Sequence, residues 1–302
     1  AATADVIITG ETTNNYFGSY LTSGDFNTDG KIDLAVGAFR YSTYTGRVYI
    51  FYNDGSIPTT AATADVIITG ETTNNYFGYT LTSGDLNSDG KVDLAVGAYV
   101  YSSSTGRAYI FYNDGSIPTT AATADVIVTG ESTSNRFGSN LTTGDLNTDG
   151  KVDLVVGGFG YNPGSAADTG RAYIFYNDGS LPTTAATADV IITGNAAGDQ
   201  FGIFLTVGDL NADGRNDLAV GANTYSSSTG RVYIFYNDGS IPTTAATADV
   251  TITGEASSRF GYSLVSGDLD NDGRQDLIVG ADLYSSSTGR AYIFYNDGSI
   301  PT

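Results

Sequence analysis

A nine-residue acidic pattern returns five times along this chain, running Asp25 to Asp33, Asp85 to Asp93, Asp145 to Asp153, Asp209 to Asp217 and Asp268 to Asp276. Each copy lies between stretches of β-type sequence, so the whole chain reads as five copies of one unit of about 60 residues. A unit of that kind cannot bury its apolar faces alone and packs on its neighbours. Residues 1–302 are therefore expected to form one domain, against the two that length alone suggests.

In the first copy, Phe17 to Ser23 alternates as a strand and leads into the acidic loop. Asp33 to Ala38 is a second strand, with small residues where something must approach closely. Val48 to Tyr52 is apolar or aromatic on both faces, which means burial on both sides. Asn53-Asp54-Gly55 is a tight-turn signal, and Ala64 to Gly70 supplies a fourth strand. No window carries a helical period. Four short strands per copy predict an all-β protein, a five-bladed β-propeller of four-stranded antiparallel blades. The chain opens on a fourth strand, Ala4 to Thr9, and closes on strands one to three, Phe260 through Tyr295. Residues 1–10 are thus expected to supply the outer strand of the last blade, Ala4 to Thr9 pairing with Arg290 to Tyr295 to close the ring, since an open array leaves raw edges. A start at Ala1-Ala2-Thr3 reads as a processed mature form or as an excised piece of a larger protein.

Acids outnumber bases by 33 to 13, a net charge of −20 that repels phosphate backbones and anionic lipid and excludes nucleic acid as a partner. No apolar run is long enough to span a bilayer, so no membrane insertion is expected. Cysteine and histidine are both absent, which removes disulfides, thiolate sites, Ser-His-Asp triads and His-ligated metals. No catalytic residue is assigned. With 22 Tyr and 14 Phe the chain still has ample material for a core.

In the first loop Asp25, Asn27 and Asp29 stand at positions one, three and five. Gly30 allows the sharp turn, Lys31 offers a backbone carbonyl at seven, and Asp33 closes at nine. The same places hold Asp85, Asn87, Asp89, Lys91 and Asp93, then Asp145, Asn147, Asp149, Lys151 and Asp153. They hold Asp209, Asn211, Asp213, Arg215 and Asp217 in the fourth loop, and Asp268, Asp270, Asp272, Arg274 and Asp276 in the fifth. A flexible cage of oxygen ligands suits Ca2+ better than magnesium, and one ion per blade, five in all, is expected. Asp-Gly turns with Asx caps are the plainer alternative. Against it, three carboxylates within nine residues repel one another unless a cation sits among them. The fifth loop, with Asp270 in place of Asn, is expected to bind at least as tightly as the others.

Phe17-Gly18 with Val36-Gly37-Ala38 returns as Phe77-Gly78 with Val96-Gly97-Ala98, as Phe201-Gly202 with Val220-Gly221-Ala222, and as Phe260-Gly261 with Val279-Gly280-Ala281. Phe137-Gly138 with Val156-Gly157-Gly158 departs slightly. These motifs resemble the FG-GAP repeats of integrin α-subunit propellers and their bacterial relatives, over essentially the whole chain. The integrin propeller has seven blades where this chain has residues for five. The resemblance implies calcium in the loop between the first two strands, an extracellular or cell-surface location, and ligand binding on the opposite face. On that face the copies differ most, as in Glu11 to Tyr16 against Asn195 to Gln200, and the third copy inserts Asn162 to Asp168. Tyr41, Tyr44, Tyr99, Tyr101, Arg136 and Tyr161 are the candidates there, whereas Tyr49 and Tyr109 read as packing. The expectation is a non-enzymatic, monomeric recognition or adhesion module with a protein or glycan ligand. The alternatives are a carbohydrate-binding lectin-type propeller, a polysaccharide-acting enzyme with paired carboxylates, and a structural spacer of a larger secreted protein. The enzyme reading suffers because acids outside the loops, such as Asp54, Asp114 and Asp178, recur with the repeat.

Overall fold

The sequence Arg-Val-Tyr-Ile-Phe and its variants form a strand whose last four residues are buried in every copy but the last, so that both of its faces are covered. A computed structural model describes residues 4–164 and 168–301; the remaining residues of the N-terminal segment and of the third-copy insertion lie outside them. The first blade consists of β1 (Leu21–Gly24), β2 (Asp33–Ala38), β3 (Arg47–Phe51) and β4 (Val66–Thr69). The second has β5 (Thr80–Gly84), β6 (Asp93–Ala98), β7 (Arg107–Phe111) and β8 (Val126–Thr129). The third has β9 (Phe137–Gly144), β10 (Asp153–Gly158), β11 (Arg171–Phe175) and β12 (Val190–Thr193), and the fourth β13 (Leu205–Gly208), β14 (Asp217–Ala222), β15 (Arg231–Phe235) and β16 (Val250–Thr253). The last has β17 (Ser263–Gly267), β18 (Asp276–Ala281) and β19 (Arg290–Phe294). Strands pair antiparallel in chain order, giving a propeller-like row of five sheets, four of them four-stranded and the last three-stranded.

The core lies between blades. Val48 and Ile50 of β3 share one cluster with Val96, Tyr109 and Phe111 of the next blade. Phe77 and its equivalents stand edge-on to the tyrosine of the third strand, Phe77 to Tyr109 at 5.3 Å. Each fully buried aromatic of this kind contributes on the order of 1.5–3 kcal/mol through apolar burial.

The paired motifs have a steric cause. A Cβ on Gly37 would stand 2.2 Å from the carbonyl oxygen of Gly78, and one on Gly97 would stand 2.1 Å from that of Gly138. The Phe-Gly of one copy thus lies against the Gly-Ala of the copy before it, at a distance no side chain permits. A parallel bridge from Gly46 to Phe77 locks the same joint, and Gly106–Phe137, Gly170–Phe201 and Gly230–Phe260 repeat it.

The expected ring closure is not made among the described residues. β19 pairs only with β18. Ala4 to Thr9 instead makes a single parallel bridge, Thr9 to Thr60 of the first blade. That is the contact that Thr69 of β4 makes with Thr120, so the segment takes a fourth strand's place against the first blade without joining the last sheet. The physical reason is the missing fifth joint. Among the described residues, no atom beyond its chain neighbours lies within 4 Å of a Cβ placed on Gly18, and the nearest atoms to one on Gly280 belong to Ser263 of its own blade. Leu21 and Val265, on the two end blades, stay 59% and 54% exposed.

Candidate metal loops and the opposite face

Each acidic loop joins the first and second strands of its blade, so all five lie on one face. The loops are shaped by their own carboxylates. In the first, Asp25 accepts from the backbone N–H groups of Asp29 (3.1 Å) and Gly30 (2.9 Å). Asn27 accepts from Asp29 (3.0 Å), and Asp29 from Lys31 (2.9 Å). Nested Asx turns of this type curl positions one, three and five around a common centre.

Position nine does two jobs. The carboxylate of Asp93 accepts one backbone N–H from Leu86 inside the loop and another from Asn113 at the end of β7, both at 2.8 Å. Asp33, Asp153, Asp217 and Asp276 repeat the arrangement. This acid therefore ties the loop to the third strand as well as facing the other acids. Burial pushes the carboxyls of Asp93, Asp153 and Asp217 up to about 6, against the pull of the two N–H donors and with a further push from the loop acids.

The donor set fits a hard divalent cation. In the fifth loop Asp268, Asp270 and Asp276 each bring a carboxylate oxygen within 4.8 Å of the other two. In the third, the buried Oδ1 of Asp145 has no hydrogen-bond partner among the described residues. A buried carboxylate oxygen without a donor is costly unless a cation satisfies it. Lys31 and Lys91, the side chains at position seven, reach Asp29 (3.6 Å) and Asp89 (4.0 Å).

Asparagine after the third strand was legible only as a turn residue, and it does more. Asn113 donates through Nδ2 to the carbonyl of Asp25 (3.3 Å), Asn177 to Asp85 (3.1 Å) and Asn296 to Asp209 (3.1 Å), while Asn237 reaches Leu146 (2.9 Å). Each loop of the first four blades is thereby held by the blade that follows. Recurrence of Asn at all five positions was the available signal.

On the opposite face, a stack recurs that the sequence reading missed. Arg47 lies over the ring of Tyr41 (3.7 Å) and donates to Glu11 (2.7 Å), which also accepts from the hydroxyl of Tyr49 (2.8 Å). Arg107 with Tyr101 and Glu71, Arg171 with Tyr161 and Glu131, and Arg290 with Tyr284 and Glu255 follow suit. Tyr41, Tyr101 and Tyr161 are thus engaged within their own blades. The fourth blade departs: Asn195 replaces the glutamate and Asp199 stands where other copies have Asn15, Asn75 and Asn135. There the Tyr233 hydroxyl and Asp199 Oδ2 are buried without partners among the described residues, and burial raises the Asp199 carboxyl despite the opposing Arg231 charge.

A second slot on this face changes chemistry from blade to blade. Tyr16 meets Phe39 (5.5 Å), Tyr76 meets Tyr99 (5.6 Å), Arg136 lies over Phe159 (4.8 Å), and Arg259 pairs with Asp282 (3.0 Å). Tyr44 stacks on Tyr76 at 5.1 Å, and Phe39 also contacts Tyr76, so the aromatic versions join into one run over the first three blades. Arg136 is further tied to Asp168 (2.9 Å).

Comparison with known proteins agrees with this geometry. A family model described as FG-GAP repeat matches residues 17–51 and 77–111, and one described as FG-GAP-like repeat matches 209–279. Integrin alpha-PS2 of Drosophila melanogaster is 34% identical over 238 residues, 74% of this chain and 16% of its own length. Phosphatidylinositol-glycan-specific phospholipase D of Mus musculus is 38% identical over 154 residues, 48% of this chain and 18% of its own. Integrin alpha-7 of Homo sapiens is 38% identical over 162 residues, 52% of this chain and 13% of its own. The chain thus matches less than a fifth of the length of each of these relatives. The biofilm matrix protein Bap1 of V. cholerae aligns with 93% of this chain, and this chain with 38% of it, at 16% identity and a TM-score of 0.46.

Proposed function

We propose, for a chain that belongs to the FG-GAP repeat family, a calcium-stabilised, non-enzymatic recognition or adhesion module that works outside the cytoplasm, where calcium is plentiful. The observation that carries the calcium reading is the donor set of the loops. Five copies repeat the same oxygen donors at positions one, three, five and nine, and in the fifth Asp268, Asp270 and Asp276 converge to within 4.8 Å. Side-chain oxygens at positions one, three, five and nine, with the carbonyl at seven, would hold the ion. Bound calcium supplies the positive charge that lets these carboxylates stay ionised side by side.

Recognition is assigned to the face away from the loops, because the strands and loops are near-identical between copies whereas the Tyr16–Phe39 slot goes from aromatic pairs in the first two blades to Arg136 on Phe159 in the third and an Arg259–Asp282 pair in the last. The phospholipase relative does not move the reading toward catalysis, since the similarity covers 18% of that enzyme. A glycan ligand is favoured over a protein one by the hydroxyl-rich clefts on this face, one of which Tyr16 and Tyr44 also line. Thermal unfolding in chelator, in calcium and in magnesium tests the stabilisation. Calcium should raise the midpoint by several degrees and magnesium should restore little of that gain. Identical midpoints in all three would refute it.

A further inference from the structure

Arg40 is the one arginine of the ten in this chain whose guanidinium makes no hydrogen bond among the described residues, and its Nε is buried without a partner. The other nine bond to a carboxylate, a hydroxyl or a backbone carbonyl. In a chain of net charge −20 such an unpaired cation needs a reason. Aromatic faces hold it, with Tyr16 at 4.0 Å from the guanidinium carbon and Tyr44 at 5.6 Å. It also lines a cleft of about 430 Å³ whose other walls include Thr13, Asn14 and Thr43.

We propose that this cleft binds a carboxylated sugar, a uronic acid within an oligosaccharide, with the carboxylate on Arg40. The assignment rests on reading this face as the recognition surface. An arginine with free donors and no acid partner matches a carboxylate. The exposed ring of Tyr16 and the half-buried ring of Tyr44 offer apolar surface to a pyranose, and the hydroxyls and amide around the rim meet its hydroxyls. Sixteen of the 33 acids belong to the loops on the far face, so an anion can approach here. The second blade supplies an internal control. It has the same cleft, lined by Thr72, Thr73 and Asn74, but carries Val100 where Arg40 stands and Ser104 where Tyr44 stands.

The test is titration calorimetry at saturating calcium with trigalacturonic acid, its methyl ester and triglutamate. The acid should bind to the native chain, and the ester at least tenfold more weakly. Arg40→Val and Tyr44→Ser install residues that the second blade already tolerates, so they should keep the wild-type melting temperature, and each should weaken binding at least tenfold. Equal binding of ester and acid, wild-type affinity in Arg40→Val, no binding at millimolar concentration, or preference for triglutamate would each overturn the assignment. None of these outcomes alters the calcium dependence of unfolding, so the two readings fail separately.

Discussion

The side-chain amide of Asn177 donates to the main-chain oxygen of Asp85, 3.1 Å away and 92 residues earlier in the chain. Through this bond the third blade holds the start of the second blade's acidic loop. Asn177→Ala should cost about 1–3 kcal/mol in urea unfolding, since it leaves a carbonyl at the joint without its donor. It should also weaken calcium binding at the loop from Asp85 to Asp93. Asn53, which makes no equivalent bond among the described residues, is the control, and Asn53→Ala should be milder. Equal costs for the two would remove the clamp from the account.

The Gly-Gly joints give a test of the open end. Gly37→Ala places a Cβ 2.2 Å from the backbone oxygen of Gly78, and overpacking of this kind should cost about 2–3 kcal/mol. Gly280 is its counterpart in the last blade, where the nearest atom is the Ser263 hydroxyl, free to rotate away. Gly280→Ala should therefore cost less than about 1 kcal/mol. A Gly280→Ala penalty as large as that of Gly37→Ala would mean that the last blade meets the first in solution.

The fourth blade carries a repairable defect. Among the described residues, Tyr233 and Asp199 hold buried, unpartnered oxygens because the acid stands at 199 instead of 195. The double variant Asn195→Glu with Asp199→Asn restores the set found around Arg107, and should stabilise the protein by about 1–2 kcal/mol in chemical denaturation. A destabilised double variant would show that the blade has adapted to the exchange.

How much of this was legible in the sequence depended on the range of each contact. Gly37 and Gly78 announced a close approach through their recurring neighbours, and the loop from Asp25 to Asp33 announced its donors through spacing alone. Both are properties of one repeat. Ring closure, read from the phase of Ala4 to Thr9 with Ser299 to Thr302, is not confirmed among the described residues, because phase fixes strand order but not the angle between blades. Tyr41 reads from the sequence as a ligand contact, yet it stacks on Arg47, and the signal for that pairing is the recurrence of Tyr and Arg six residues apart, at 41 and 47, 101 and 107, 225 and 231, and 284 and 290. Tyr16, Arg40 and Tyr44 could not be assembled from sequence, since their cleft joins two connections on one face.

Acidity should affect the metal-free protein in an unusual direction. The carboxyls of Asp93, Asp153 and Asp217 lie at about 6 in the folded chain, raised chiefly by burial from an ordinary 3.8. A raised folded value favours the protonated form on folding. That stabilisation is full below the unfolded pKa and is lost as pH rises through about 6. In chelator the melting temperature should thus rise between about pH 7 and pH 5, and saturating calcium, which competes with the proton, should cancel the rise. A fall in chelator over that range would contradict the assigned burial.

Calcium titration of the chelator-treated protein by calorimetry tests the central claim most directly. The account predicts a stoichiometry approaching five ions per chain. It also separates two positions of one loop. Asp149→Ala, at exposed position five, should remove one ion and leave metal-free stability nearly unchanged. Asp153→Ala should remove the same ion and cost about 2–3 kcal/mol even in chelator, because two backbone N–H groups lose their acceptor. No calcium uptake, or an unchanged stoichiometry in both variants, would leave the five loops as turns and the metal reading without support.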